Sequence, residues 1–118
     1  MKYSLKRKSV SITLEDESGK AKKYELREMS AAKRDAYLTR LSTRIKTGED
    51  GSNQGVSDFE GLQADLIATC LFDGDKQVDV ATIQEWPASA VGGIFKEAQS
   101  LNSLDQEIAE AEAAAGNG

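Results

Sequence analysis

The sequence predicts a mainly helical α+β fold, with an N-terminal β-hairpin packed on about three main helices. Three observations carry this. Val10, Ile12 and Leu14 alternate with Ser9, Ser11 and Thr13, the period of a strand with one apolar face. Beyond residue 30 the apolar spacing changes to three and four residues, the period of amphipathic helices. Helix boundary residues, namely Ser30, Ser57 with Glu60, and Pro87, stand where each helical period begins. A chain of 118 residues is one domain with a modest core, burying somewhat under about 70% of its unfolded surface. We assign residues 1–104 to that domain and 105–118 to a flexible acidic Ala/Glu-rich tail.

The elements follow in order. After the first strand, Glu15 to Lys20 is a polar turn with Gly19 available for positive φ. Lys23 to Leu26 alternates back as the second strand. A two-stranded ribbon is marginal in water, so helices must cover its apolar face. Ser30 is the expected N-cap of a helix over 31–47, stopped by Gly48. Leu38, Leu41 and Ile45 form its apolar face. Lys33, Tyr37, Arg40 and Arg44 form a neighbouring stripe, and Arg44 and Lys46 suit the C-terminal dipole. Residues 47–56, TGEDGSNQGV, have almost nothing to bury and read as a flexible loop.

Ser57 and Glu60 make an S-x-x-E capping box, so the second helix is expected to start there. Phe59, Leu62, Leu66, Ile67 and Cys70 share its inner face, with Asp58 and Asp65 pointing away. Asp73 to Asp79 (DGDKQVD) resembles a calcium loop only superficially, because Val78 and Gln84 occupy the positions of the required Gly and bidentate Glu. A tight turn at Asp73-Gly74 is expected instead, with Asp79 or a neighbour capping a short helical turn that reaches Glu85. Trp86-Pro87 opens the final helix. Its apolar face is Ala90, Val91, Ile94, Phe95, Ala98 and Leu101, extended by Ile108 if the helix continues. Gly92 and Gly93 lie off the middle of that face, allowing either close backbone approach or a bend.

Charge is sorted along the chain. Residues 1–46 carry thirteen Lys/Arg against six Asp/Glu, while 47–118 carry two against fourteen, so the net charge of −5 hides a bipolar molecule. Such asymmetry points to association, within a molecule, between copies or with a charged partner. Chemistry is poorly provided for. There is no His, which removes the usual neutral-pH general base and the commonest imidazole metal ligand. The carboxylates are dispersed, no Gly-rich phosphate loop is present, and no nucleophile has a recognisable base. We expect a non-enzyme with no catalytic residue, no cofactor and no metal. Cys70, alone in an apolar run, reads as a small buried hydrophobe and suits a reducing cytoplasm. No apolar run approaches the roughly 20 residues of a membrane span, and the N-terminus lacks the apolar core of a secretory signal.

Two passages carry a family likeness. The hairpin leading into YELREMSAAKRDAYL, followed by CLFDGDKQVDVATIQEWPASAVGGIFKEAQSLNSL, resembles the tail assembly chaperones of long-tailed bacteriophages and prophages. The shared phrases are the aspartate-rich turn at Asp73 to Asp75, Trp86-Pro87, the apolar helix through Val91 to Phe95, and Leu101-Asn102; the likeness spans about residues 8–104. It implies a protein of the host cell cytoplasm that binds the long tape measure protein, keeps it soluble and delivers it to the tail tube (major tail) protein. It also implies that a frameshifted longer form of the chain can exist. Homo-oligomers are a further expectation, head to tail through the opposed charges, with Lys33, Arg40 and Arg44 as contributors. Lys33, Tyr37, Arg40, Arg44 and Trp86 are the candidate partner-binding residues. The alternative is a small nucleic-acid-binding regulator using the basic N-terminal half, with the stripe on phosphates and Tyr37 stacking. The acidic remainder opposes phosphate approach, so nucleic acid is the less favoured partner.

Overall fold

The computed structural model describes residues 1–47, 53–56 and 59–104, and its architecture is mixed α+β. Strand β1 (Ser9–Glu15) pairs antiparallel with β2 (Ala21–Arg27) in an unbroken register from Ser9↔Arg27 to Glu15↔Ala21. The turn between them is built by Asp16. Its carboxylate accepts from the backbone N–H groups of Ser18 and Lys20, each at 2.9 Å, and from the Ser18 hydroxyl. Gly19 supplies the positive φ of 86° that an L side chain resists.

Helix α1 (Ala31–Thr43) starts where Ser30 Oγ accepts the Lys33 N–H, and ends at Arg44, whose N–H donates to Leu41 O. The expected continuation to 47 does not occur. Ile45–Thr47 is a strand, β3, that pairs with β4 (Asn53–Val56) as a separate two-stranded sheet. The presumed loop therefore contains strand. The physical reason is the backbone partner: Ile45 falls opposite Val56 in the register, and a β-branched residue such as Ile45 suits a strand better than a helix end. Gly48 lies outside the described residues.

The second helix begins later than its sequence signal. Helix α2 (Leu62–Cys70) is entered through Gly61 at φ 73°, with no side-chain cap. The proposed capping box cannot be followed, because Ser57 and Asp58 lie outside the described residues. Phe59, expected on the inner face, is instead 61% exposed, since it precedes the helix and does not share its phase. Leu62, Leu66, Ile67 and Cys70 are buried as their spacing requires.

Strand β5 (Leu71–Asp73) follows α2 directly and pairs with β2, while β6 (Lys76–Gln77) pairs back on β5 around a turn in which Gly74 has φ 63°. The main sheet thus runs β1-β2-β5-β6. Helix α3 (Val80–Gln84) is capped by Asp79, whose carboxylate accepts the Thr82 N–H at 2.8 Å. Helix α4 (Ala88–Leu101) starts after Pro87 and ends at Asn102.

The core lies between one face of the sheet and the helices. Leu26 and Leu71 from the sheet, Leu66, Ile67 and Cys70 from α2, Ile83 from α3 and Ala98 from α4 are all fully buried. Leu104 closes the C-terminal end of this core, also without exposure. The expected tail, 105–118, lies outside the described residues. Asn102 is the buried polar residue among them. Its Oδ1 accepts the Met29 N–H at 2.7 Å and its Nδ2 donates to Ala98 O at 2.9 Å and to Cys70 Sγ at 3.3 Å, which ties the β2–α1 junction to α2 and α4. No helix of the described residues is long and apolar enough to cross a membrane.

Candidate partner-binding surface

Trp86 is placed by three local devices. Its N–H donates to Ile83 O at 3.0 Å, which closes α3; Pro87 follows and directs the chain into α4; and its ring meets Tyr24 of β2 edge-on, with centroids 5.9 Å apart. Ile83 beneath is wholly buried, so this junction is anchored in the core. The indole remains half-buried and stands as a ridge between two clefts, since it lines both.

The first cleft, of about 590 Å³, is walled by Phe59, Leu62, Ala64, Trp86, Ala88 and Val91, with Gln63 and Gln84 supplying amide groups and no charge. The second, of about 630 Å³, has Leu14, Tyr24, Trp86, Pro87 and Ala90 at its base and a charged rim of Glu15, Asp16, Glu17 and Glu85 against Lys20 and Lys22. Lys22 is held in place, because its ammonium contacts Asp73 at 2.7 Å and lies 5.4 Å from the Tyr24 ring centroid. The Asp73 hydrogen bond raises its pKa. An apolar floor with a few fixed polar groups is the usual composition of a binding surface, and large exposed aromatics serve as anchors in such surfaces.

The helical stripe fares differently. Tyr37 is 1% exposed, in the core and not on the surface, because α1 turns this face toward α2. Its hydroxyl finds no hydrogen-bond partner among the described residues, and burial raises its pKa. Arg40 grips Asp65 with two nitrogens, at 2.9 to 3.1 Å, and donates to Thr69 Oγ1 at 3.3 Å. Asp65, expected to point away into solvent, is therefore engaged, its side chain 17% exposed. Arg44 donates to Glu60 O at 2.7 Å. Lys33, in the first turn of α1, is exposed, as is Arg40 despite its hold on Asp65. Two of the four stripe residues thus stitch α1 to the segment beginning at Glu60, and one is core.

Phe59 is the residue that helical phase missed: its neighbours Leu62 and Leu66 made it look internal, and only the late start of α2 turns it outward. Met1, Tyr3 and Leu5 are also exposed, interleaved with Lys2, Lys6, Arg7 and Lys8 in an arm ahead of β1. Cys70 is buried against Asn102, and burial pushes its thiol up to about 11, away from nucleophilic use. No cluster of His, Cys, Asp and Glu suited to a metal ion occurs among the described residues. No protein-family model, curated protein or solved structure matches this chain.

Proposed function

We propose that this chain is a phage tail assembly chaperone that binds and solubilises the tape measure protein and promotes tail tube assembly in the host cytoplasm. The observation that carries the reading is the aromatic ridge of Trp86, with Phe59 exposed across the neighbouring cleft. Two adjoining apolar clefts can accept the i, i+3 and i+4 side chains of an amphipathic helix, the form a long helical client presents. The acidic rim of the second cleft matches Lys or Arg on the flank of such a helix. On this reading the helical body and N-terminal ribbon serve as a scaffold for that surface, without catalysis.

The test is co-expression with a tape measure protein, sought among the products of the neighbouring genes. Phe59→Asp is expected to abolish co-purification while shifting stability by no more than about 0.5 kcal/mol, because its ring is exposed. Retained co-purification would remove the cleft as the client site. A wild-type chain that never captures the tape measure protein would remove the chaperone reading itself.

A second reading is favoured by the N-terminal arm, where Lys2, Lys6, Arg7 and Lys8 are exposed beside Tyr3. Cations interleaved with an aromatic suit single-stranded nucleic acid. Arg40 and Arg44 are occupied and Tyr37 is buried, which leaves the arm to act alone. A gel-shift titration with single-stranded DNA at several salt concentrations separates this reading from the chaperone.

A further inference from the structure

The main sheet has an open backbone edge at β1, whose C-terminal end and following turn, Leu14 to Glu17, also border the second cleft. β1 is the outermost strand, and no described segment pairs with its far side. It is seven residues long, in register without a bulge, and has neither Pro nor any charge between Ser9 and Leu14. Natural edge strands usually carry such protections against pairing. The opposite edge, β6, is only two residues long.

Which groups face outward follows from the ladder. The Glu28 N–H donates to Lys8 O at 2.8 Å, and the Asp16 N–H donates to Lys20 O at 3.0 Å. Lys8 and Asp16 therefore turn their backbone groups toward β2, and by alternation so do Val10, Ile12 and Leu14. Ser9, Ser11, Thr13 and Glu15 present their N–H and C=O groups to the open side. The apolar face is also incomplete at this margin, where Val10 is 37% exposed.

We propose that β1 pairs antiparallel with β1 of a second copy, about a two-fold axis at Ile12, to form a continuous eight-stranded sheet. The charges flanking the strand select this occupant. Lys6, Arg7 and Lys8 precede it, and Glu15 ends it with Asp16 and Glu17 following. With Ile12 opposite its own copy, Val10 meets Leu14, Ser11 meets Thr13, Lys8 meets Asp16 and Arg7 meets Glu17, each twice by symmetry. The outward backbone groups of Ser11 and Thr13 fall opposite each other, as hydrogen-bonded pairs require, while Val10, Ile12 and Leu14 fall in the closer non-bonded pairs that favour apolar contact. A parallel arrangement would set like charges side by side. The contact is isologous and consumes the one long edge, so assembly stops at the dimer. This inference stands independently of the chaperone reading.

Sedimentation of the full chain over a range of concentrations tests it, with three variants. Ser11→Pro removes an N–H that faces outward, a change edge strands tolerate, so it should abolish the dimer while circular dichroism and melting temperature are maintained. Arg7→Glu and Glu17→Lys each oppose like charges at two symmetric positions and should each weaken the dimer about tenfold. An equimolar mixture of these two single variants restores opposite charges at both positions and should recover wild-type association. An invariant monomer at all concentrations overturns the proposal, as does association that survives Ser11→Pro. Should Ser11→Pro fail to fold, the charge pair decides: no recovery in the mixture overturns this register.

Discussion

At the scale of single residues, Asn102 does more than its position at a helix end requires. Three elements converge on its amide, which satisfies a buried N–H of Met29 and caps α4 through Ala98. Asn102→Ala leaves the Met29 donor unpaired in a position that water cannot reach, and should cost about 2 to 3 kcal/mol in urea unfolding. Met29 is nearly buried, which is why relaxation toward solvent does not rescue it. Cys70 beside it predicts a pH dependence. Its ordinary thiol value is 9.0, and burial raises it to about 11 in the folded chain, against a smaller lowering by the Asn102 hydrogen bond. Between those values the unfolded chain releases the proton more readily, so alkali favours unfolding. The stability held by the neutral thiol is fully present below pH 9 and lost as pH climbs toward 11. Unfolding titrations just above pH 9 should show a downward slope that Cys70→Ala removes; an unchanged slope in that variant would assign the effect elsewhere, first to the buried Tyr37.

At the scale of elements, much of the chain declares itself through local chemistry. Ser30, Asp79 and Pro87 begin helices where a cap or a missing N–H predicts, because these signals act within one turn and do not depend on the rest of the fold. The Asp73-Gly74 turn is local in the same way. Signals failed where a distant partner decides. Ile45 continues the helical phase of Leu38 and Leu41, yet pairing with Val56 withdraws it into β3, a contact that no window around Ile45 reveals. Likewise β5 is a three-residue strand attached to the end of α2, made by β2 lying 45 residues earlier at Leu26↔Leu71. Trp86 stands out in the sequence as an aromatic before a proline; the exposure of Phe59 does not, because it depends on where α2 starts. The basic stripe misled because spacing shows which residues share a face, and not what that face packs against. Gly93 shows the converse case. A Cβ built there meets nothing within 4 Å, so among the described residues no close approach requires glycine at this position. Gly93→Ala should therefore raise stability by about 1 kcal/mol through helix propensity and a less flexible unfolded state. A stabilised variant that loses tape measure binding would place this exposed stretch of α4 at the client interface.

At the scale of the whole molecule, the opposed charges of the two halves meet first inside one chain. Arg40 on α1 holds Asp65 on α2, and Lys22 on β2 holds Asp73 on β5, each joining the basic half to the acidic half. A head-to-tail association using Arg40 would have to break a bidentate contact to a carboxylate that is mostly shielded from water, which works against it. Arg40→Ala should accordingly lower the melting temperature and leave sedimentation unchanged. The charges flanking β1 are among those that stay exposed and available for contact between copies. This sets the expected response to salt. Exposed charges are screened over about 8 Å at physiological ionic strength and about 3 Å at 1 M, so the dimer should weaken as salt rises. It should not vanish, because the strand ladder and the contacts of Val10, Ile12 and Leu14 do not depend on charge, and burial of apolar surface persists in salt. An association resting on opposed charge alone would instead disappear. Sedimentation equilibrium from low salt to 1 M distinguishes the two: a dissociation constant that rises and then levels marks the strand edge, whereas complete dissociation at high salt marks a purely electrostatic contact elsewhere on the bipolar surface.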